Sequence, residues 1–454
     1  MTGFERNLFA HRMWDFLRVR KTMKPIALIW GESLVGSGHA RIQSALSRAL
    51  QRDGWHVALV TSSRERIHGF DFGNADIYWQ PPLQLSSPSA DPYKMSNLVT
   101  PNGIRLVDDT AYQNDRRDFL LNLYGDLRPQ AVITEMWPFA RANFDFELIP
   151  LANHIIEQGE KGAKLFSIAR DIMFPPSLSS PDSTHVEENR HQLARQYFKP
   201  GHILVRGDNS VLPLETSVGQ LEDDLRDRLC YVGYFGLNGA HDLSGDLWRT
   251  GDVLITSGGG VTRESIEMFR AAIKVRHLTP LADRLWRILI PGTCPQSVLE
   301  EVIEASLGLD GIIVEGNRSD FAELLQSSPL VICHGGNTIV EAVSSKTPVL
   351  VIPREYAKNN REQQIRANAF EAEGLIVTGR VSEIQHPEFF ARKILDTLQR
   401  GKQDSEIRVN GAATAASIIT ESMYPMAEKQ HDEYFSPLGA LRGDCEPSLS
   451  MYLG

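Results

Sequence analysis

The sequence predicts an α/β protein of two domains, each an open parallel sheet with helices on both faces. Three observations lead there. Apolar segments of strand length alternate with helical patterns along most of the chain. Those segments are apolar at nearly every position, as strands covered on both faces must be. The alternation lapses near the middle and restarts, and 454 residues exceed what one ordinary core organises.

Taken in order, "PIALIWG" (25–31) is a strand and "ARIQSALSRALQRDG" (40–54) a helix with a glycine stop. "WHVALVTSS" (55–63), "PQAVITE" (129–135), "AKLFSIARD" (163–171), "GHILVRGD" (201–208) and "LCYVGYFG" (229–236) follow as strands. The Pro- and Ser-rich stretches 80–103 and 174–183 read as surface excursions. A polar, glycine-containing segment, 237–251, marks the junction. Beyond it "DVLITSGGG" (252–260), "LWRILIPG" (285–292), "GIIVEG" (311–316), "PLVICHGG" (329–336) and "PVLVIPRE" (348–355) repeat the same grammar. The expected domains are 24–236 and 250–423, with a tail at 424–454. Doubly wound sheets bind ligands at the carboxyl ends of their strands, so two of them imply a cleft between.

Composition narrows the partners. A formal charge of −10 argues against a broad nucleic-acid surface. No apolar run reaches membrane-span length. The amino-terminal 23 residues could form a short amphipathic helix, docked on the protein itself or on a membrane surface. The four cysteines, Cys230, Cys294, Cys333 and Cys445, lack paired metal-ligand spacing and fit reduced thiols in a cytoplasm. Oligomeric state is not readable.

Three strand-to-helix turns carry candidate chemistry: "GESLVGSGHAR" (31–41), "SGGGVTRES" (257–265) and "HGGNTIVE" (334–341). Glycines at a helix start let backbone N–H groups approach an anion, and a diphosphate is the obvious guest. Such turns also use Gly, Ser and Asn simply as caps. In the third turn, Thr338 and Glu341 share a helix face with Asn337. Phosphate beside His334, Gly335 and Gly336, with a ribose hydrogen-bonded to Glu341, would suit a nucleoside diphosphate. Alternatively, His334 caps the strand and Glu341 is a solvated helix residue. Downstream, Asn359, Asn360, Glu362, Gln363 and Gln364 suit sugar hydroxyls or an ordinary capped surface.

At this point "HGGNTIVEAVSSKTPVLVIP" with "NNREQQIRANAFEAEG" resembles the carboxyl-terminal signature of the family 28 nucleotide-sugar glycosyltransferases, which include the peptidoglycan UDP-N-acetylglucosamine transferase. "GSGHAR" is similar to that family's amino-terminal loop, and "RDI" (170–172) to a motif of a bacterial branch of predicted glycosyltransferases. The resemblance implies a GT-B fold, two Rossmann-like domains across a cleft, and transfer of a sugar from a nucleotide-diphosphate sugar, uridine-linked by expectation. It implies donor contacts from Ser257, Gly258, Gly259, His334, Gly335, Gly336, Asn337 and Thr338. Glu341 would take the ribose, Gln363 and Gln364 the sugar. Gly36, Ser37 and Gly38 would form an acceptor-side loop, with His39 as general base. The loop has fewer glycines than the peptidoglycan enzyme's, which implies a different acceptor pocket. The chain shows no paired carboxylates suited to a divalent ion, so a metal-independent, inverting reaction without cofactor is expected. A sugar-nucleotide 2-epimerase or hydrolase, or a non-catalytic binding protein, are the alternatives on this fold.

Overall fold

A computed structural model describes residues 24–423 apart from 35–37, 68, 88–89, 174–182, 237–250, 293, 317, 319, 356–360 and 402–406. The amino-terminal 23 residues, the excursion at 174–182, the junction at 237–250 and the tail therefore lie outside the described residues.

The first lobe is a seven-stranded parallel sheet: β1 (Ile26–Trp30), β2 (His56–Thr61), β3 (Asp76–Trp79), β4 (Ala131–Glu135), β5 (Lys164–Arg170), β6 (Ile203–Arg206) and β7 (Leu229–Tyr231). Their spatial order is β3-β2-β1-β4-β5-β6-β7. Order reverses beside β1, which opens a crevice at the carboxyl ends of β1 and β4. Alternation along β1 feeds two cores: Ala27 and Ile29 join one face, Leu28 and Trp30 the other. Helix α1 (Gly38–Arg52) lays Ile42, Ala45, Leu46, Ala49 and Leu50 on the first face, at the spacing of one helical stripe. Helices α2 (Thr110–Leu127) and α3 (Asp145–Glu157) cover the second.

The second lobe repeats the plan with six parallel strands: β8 (Val253–Thr256), β9 (Trp286–Ile290), β10 (Ile312–Gly316), β11 (Val331–Cys333), β12 (Val349–Val351) and β13 (Val377–Thr378). The order is β10-β9-β8-β11-β12-β13, so the reversal falls between β8 and β11. Helix α4 (Arg263–Val275) follows β8, α5 (Thr338–Ser344) follows β11, and α6 (Arg361–Ala372) follows β12. Among the described residues no helix is long and apolar enough to cross a membrane.

Two features depart from expectation. The last described helix, α7 (Gly411–Met423), lies within the span expected for the second domain, but its Ala412, Ala415, Ala416 and Ile419 complete a core of the first. Trp55 Nε1 donates to Thr420 Oγ1 at 2.8 Å across that contact. Burying Ile419 alone contributes about 2 kcal/mol. The return pass runs beside the outgoing one: Tyr234 N donates to Arg408 O (2.7 Å), Gly236 N to Val409 O (3.0 Å) and Gly411 N to Tyr234 O (2.9 Å). The passes lie so close that a Cβ on Gly411 would sit 2.2 Å from the Gly233 carbonyl oxygen. Secondly, the excursion at 80–103 is not a loose surface loop. It carries a short antiparallel pair, Gln84–Leu85 with Leu98–Val99, and buries Leu98 completely.

Candidate functional site

The carboxyl ends of β1 and β4 hold the first half of the site. His39, in the opening turn of α1, places Nδ1 2.5 Å from Oε1 of Glu135, the last residue of β4. The other carboxylate oxygen accepts from Gln43 Nε2 at 2.9 Å. Burial alone would push the Glu135 carboxyl up, but the His39 ring, Arg141 and the Gln43 amide outweigh it and hold it below the usual range. Desolvation, opposed by Glu135 and aided by Arg141, holds the His39 imidazole below its ordinary value. An ionised carboxylate facing a neutral ring selects the tautomer with Nδ1–H toward Glu135, which leaves the lone pair on Nε2, the nitrogen that Arg141 Nη2 approaches at 3.2 Å.

Arg141 completes this group. It is buried, its backbone is left-handed at φ 66°, and Nη2 donates to the Glu32 carbonyl at 2.6 Å. The same nitrogen lies 3.4 Å from His39 Nδ1 and 3.2 Å from Nε2. It is thus within hydrogen-bond reach of both ring nitrogens. Beneath lies a fully buried triad. Arg116 Nε donates to Glu147 (2.9 Å) and Nη2 to Glu32 (3.0 Å), fixing the peptide that Arg141 grips. The excursion delivers Tyr93, whose ring lies 5.9 Å from the Arg141 guanidinium carbon.

The second lobe meets this group directly. Arg41, two residues after His39 on α1, forms an ion pair with Glu341 of α5. Arg170 at the end of β5 pairs with Glu362 of α6. Asp171 takes both Nε (2.6 Å) and Nη2 (2.8 Å) of Arg366, and both side chains are buried. Arg366 Nη1 also donates to the Gly335 carbonyl at 2.9 Å. Arg206 Nη1 donates to Asn337 Oδ1 at 3.1 Å. Desolvation pulls Arg206 down to about 10, whereas Asp171, despite burial, is held down to about 2 by Arg366.

The expected donor residues occupy varied places. His334 is buried and committed at both nitrogens: Nδ1 donates to the Ile352 carbonyl at 2.6 Å and Nε2 accepts from Ser265 Oγ at 3.0 Å. Burial, reinforced by Arg354, depresses it to about 3. The ring is thus a neutral brace between Ser265 and the Ile352 carbonyl. Gly335 is glycine for close approach: a Cβ there would meet the Gln363 carbonyl oxygen at 2.6 Å. Gly336 donates its N–H to the His334 carbonyl (2.9 Å), and Thr338 opens α5. That helix is only seven residues long, so its dipole is modest.

Ser257 is buried with its hydroxyl unpartnered, and Gly258, at φ 73°, donates to Thr256 Oγ1 at 3.1 Å. Gly259 continues that loop, which Arg354 pins by donating to the Ser257 (3.1 Å) and Gly260 (2.6 Å) carbonyls. Gln363 accepts from the Arg354 N–H at 3.3 Å, while Gln364 is exposed and bonds Asn368 at 2.7 Å. Gly38 opens α1, and Gly36, Ser37, Asn359 and Asn360 lie outside the described residues. Sequence reasoning missed Glu135, Arg141, Tyr93, Arg41, Arg354 and Arg366. Only Glu135 had a signal, as a carboxylate at the carboxyl end of a strand next to the sheet's reversal.

Residues 306–421 match the glycosyltransferase family 28 C-terminal domain. No curated protein matches the chain in sequence. Among solved structures, a UDP-glucosyltransferase from Polygonum tinctorium is similar with a TM-score of 0.54 and 13% identity, over 88% of this chain and 98% of that one. The glycotransferase of kitacinnamycin gives 0.53 and 14%, over 88% and 95%. A UDP-N-acetylglucosamine 2-epimerase gives 0.52 and 11%, over 91% and 100%. At such identities the shared property is the fold, two Rossmann-like lobes in the GT-B arrangement. Residues 306–421 therefore carry a family 28 C-terminal domain within a GT-B fold, and they include Glu341, which Arg41 of the first lobe touches.

Proposed function

We propose that this family 28-like glycosyltransferase moves a sugar from a nucleotide-diphosphate sugar, uridine-linked, to an acceptor hydroxyl. One observation carries the reading. Helix α1 bears both His39, held by Glu135, and Arg41, which reaches Glu341 of the family-matching lobe. A candidate base and a candidate donor helix therefore face the same crevice.

In the proposed step, His39 Nε2 takes the acceptor's hydroxyl proton as that oxygen attacks the anomeric carbon. The bond from that carbon to the diphosphate oxygen breaks, and the electron pair leaves with the diphosphate. Attack opposite the leaving group inverts the centre. Glu135 then faces an imidazolium and stabilises it. Backbone amides of the 257–260 and 334–338 turns, with nearby guanidinium groups, supply charge stabilisation without a metal. Uridine is favoured because two similar folds carry UDP in their names. A nucleotide-sugar donor supports a cytoplasmic setting.

The test is a nucleotide panel of UDP, dTDP and GDP followed by turnover of the matching sugars. His39→Ala should lose turnover at least about a hundredfold while keeping nucleotide affinity. Turnover at the wild-type rate removes His39 from the mechanism. Release of free sugar, or of its 2-epimer, from donor alone would move the assignment to a hydrolase or epimerase.

A further inference from the structure

The Arg41–Glu341 pair is lopsided: the carboxylate side chain is 3% exposed and the arginine 45%. Ser344 (2.8 Å) and Ser345 (2.9 Å) bond Glu341's backbone carbonyl, and Arg41 meets its buried carboxylate from the other lobe. A carboxylate this deep needs a partner to stay ionised. Arg41 enters from the opposite lobe on a long, half-exposed side chain. Ribose and diphosphate are adjacent groups of a nucleotide, so a guanidinium released from the ribose position lies beside the phosphates.

We infer that Arg41 has two partners in turn: Glu341 when the site holds no nucleotide, and the donor's diphosphate once the ribose hydroxyls take Glu341. This rests on the nucleotide-sugar reading above. The exchange keeps both charges compensated. The ribose offers Glu341 two hydroxyl donors, and Arg41 brings a positive charge to the group that gains negative charge as the glycosidic bond breaks.

The two roles pull the ligand affinities in opposite directions, which makes them separable by titration calorimetry of UDP and uridine. If the panel favours dTDP or GDP, that diphosphate and its nucleoside replace them. Arg41→Ala should bind the diphosphate about tenfold or more weakly and the nucleoside no more weakly than wild type. Arg41→Lys, which keeps the charge and loses the planar fork, should fall between. In a Glu341→Gln background, Arg41→Ala should still weaken the diphosphate about tenfold. Equal changes for diphosphate and nucleoside, or no further change in the Glu341→Gln background, overturn the inference. Wild-type protein that binds none of the three diphosphates overturns the nucleotide reading itself, and this inference with it.

Discussion

His334 makes a sharp test of the donor lobe because its burial has a measurable consequence. The folded ring is depressed to about 3 by desolvation, with Arg354 adding to it. An unfolded histidine titrates near ~6.5. Between those values the unfolded chain binds a proton that the folded chain refuses, so stability falls as pH drops below about 6.5. At pH 5 the linkage amounts to about 2 kcal/mol. His334→Asn cannot titrate, and its amide can still donate to the Ile352 carbonyl, at the cost of the Ser265 bond. Urea unfolding of both proteins at pH 7.5 and pH 5 measures the difference. The variant should start less stable yet lose about 2 kcal/mol less on acidification. His39 and His202 are also depressed, chiefly by burial, but they are common to both proteins and cancel in the comparison. Asp171, held down to about 2, loses its contribution only as pH falls through that lower range, so it is silent in this window. Identical acid losses for wild type and variant would refute the account of His334 as a neutral brace.

Asp171→Asn should destabilise the protein by about 3 kcal/mol, because Arg366 keeps its charge in a buried place with Glu362 as its one remaining ion-pair partner among the described residues. Chemical denaturation with a loss under about 1 kcal/mol would contradict that. Gly31→Ala would put a Cβ 2.2 Å from Gln43 Nε2 and 2.9 Å from Glu135 Oε2, pushing Gln43 off the carboxylate. Its kcat should fall about tenfold or more with nucleotide affinity unchanged, and a wild-type kcat would show that Gln43 does not help orient Glu135.

Much of the fold is legible because parallel strands buried on both faces announce themselves as apolar runs. Every strand read from those runs is present, from Ile26–Trp30 to Val349–Val351. The edge strands Asp76–Trp79 and Val377–Thr378 are short and half-covered, so they leave a weaker signal. The helix Gly411–Met423 shows that chain order does not determine which core a segment joins; its small apolar stripe fits either lobe until packing decides. The site is less legible for a related reason. His39 and Glu341 sit in recognisable turns, but their partners Glu135 and Arg41 lie far off in sequence or look like ordinary helix surface. His334 has the motif's identity while its ring serves packing, since a sequence cannot show which way an imidazole turns.

The paired passes at residues 234–236 and 408–411 bear on how the molecule can move. A lone linker permits swivelling as well as bending. Two covalent crossings hydrogen-bonded side by side resist torsion and yield only to flexure across the ribbon, like a flat leaf spring. Twisting one lobe against the other about this ribbon would have to break the hydrogen bonds that tie Tyr234 and Gly236 to Arg408, Val409 and Gly411.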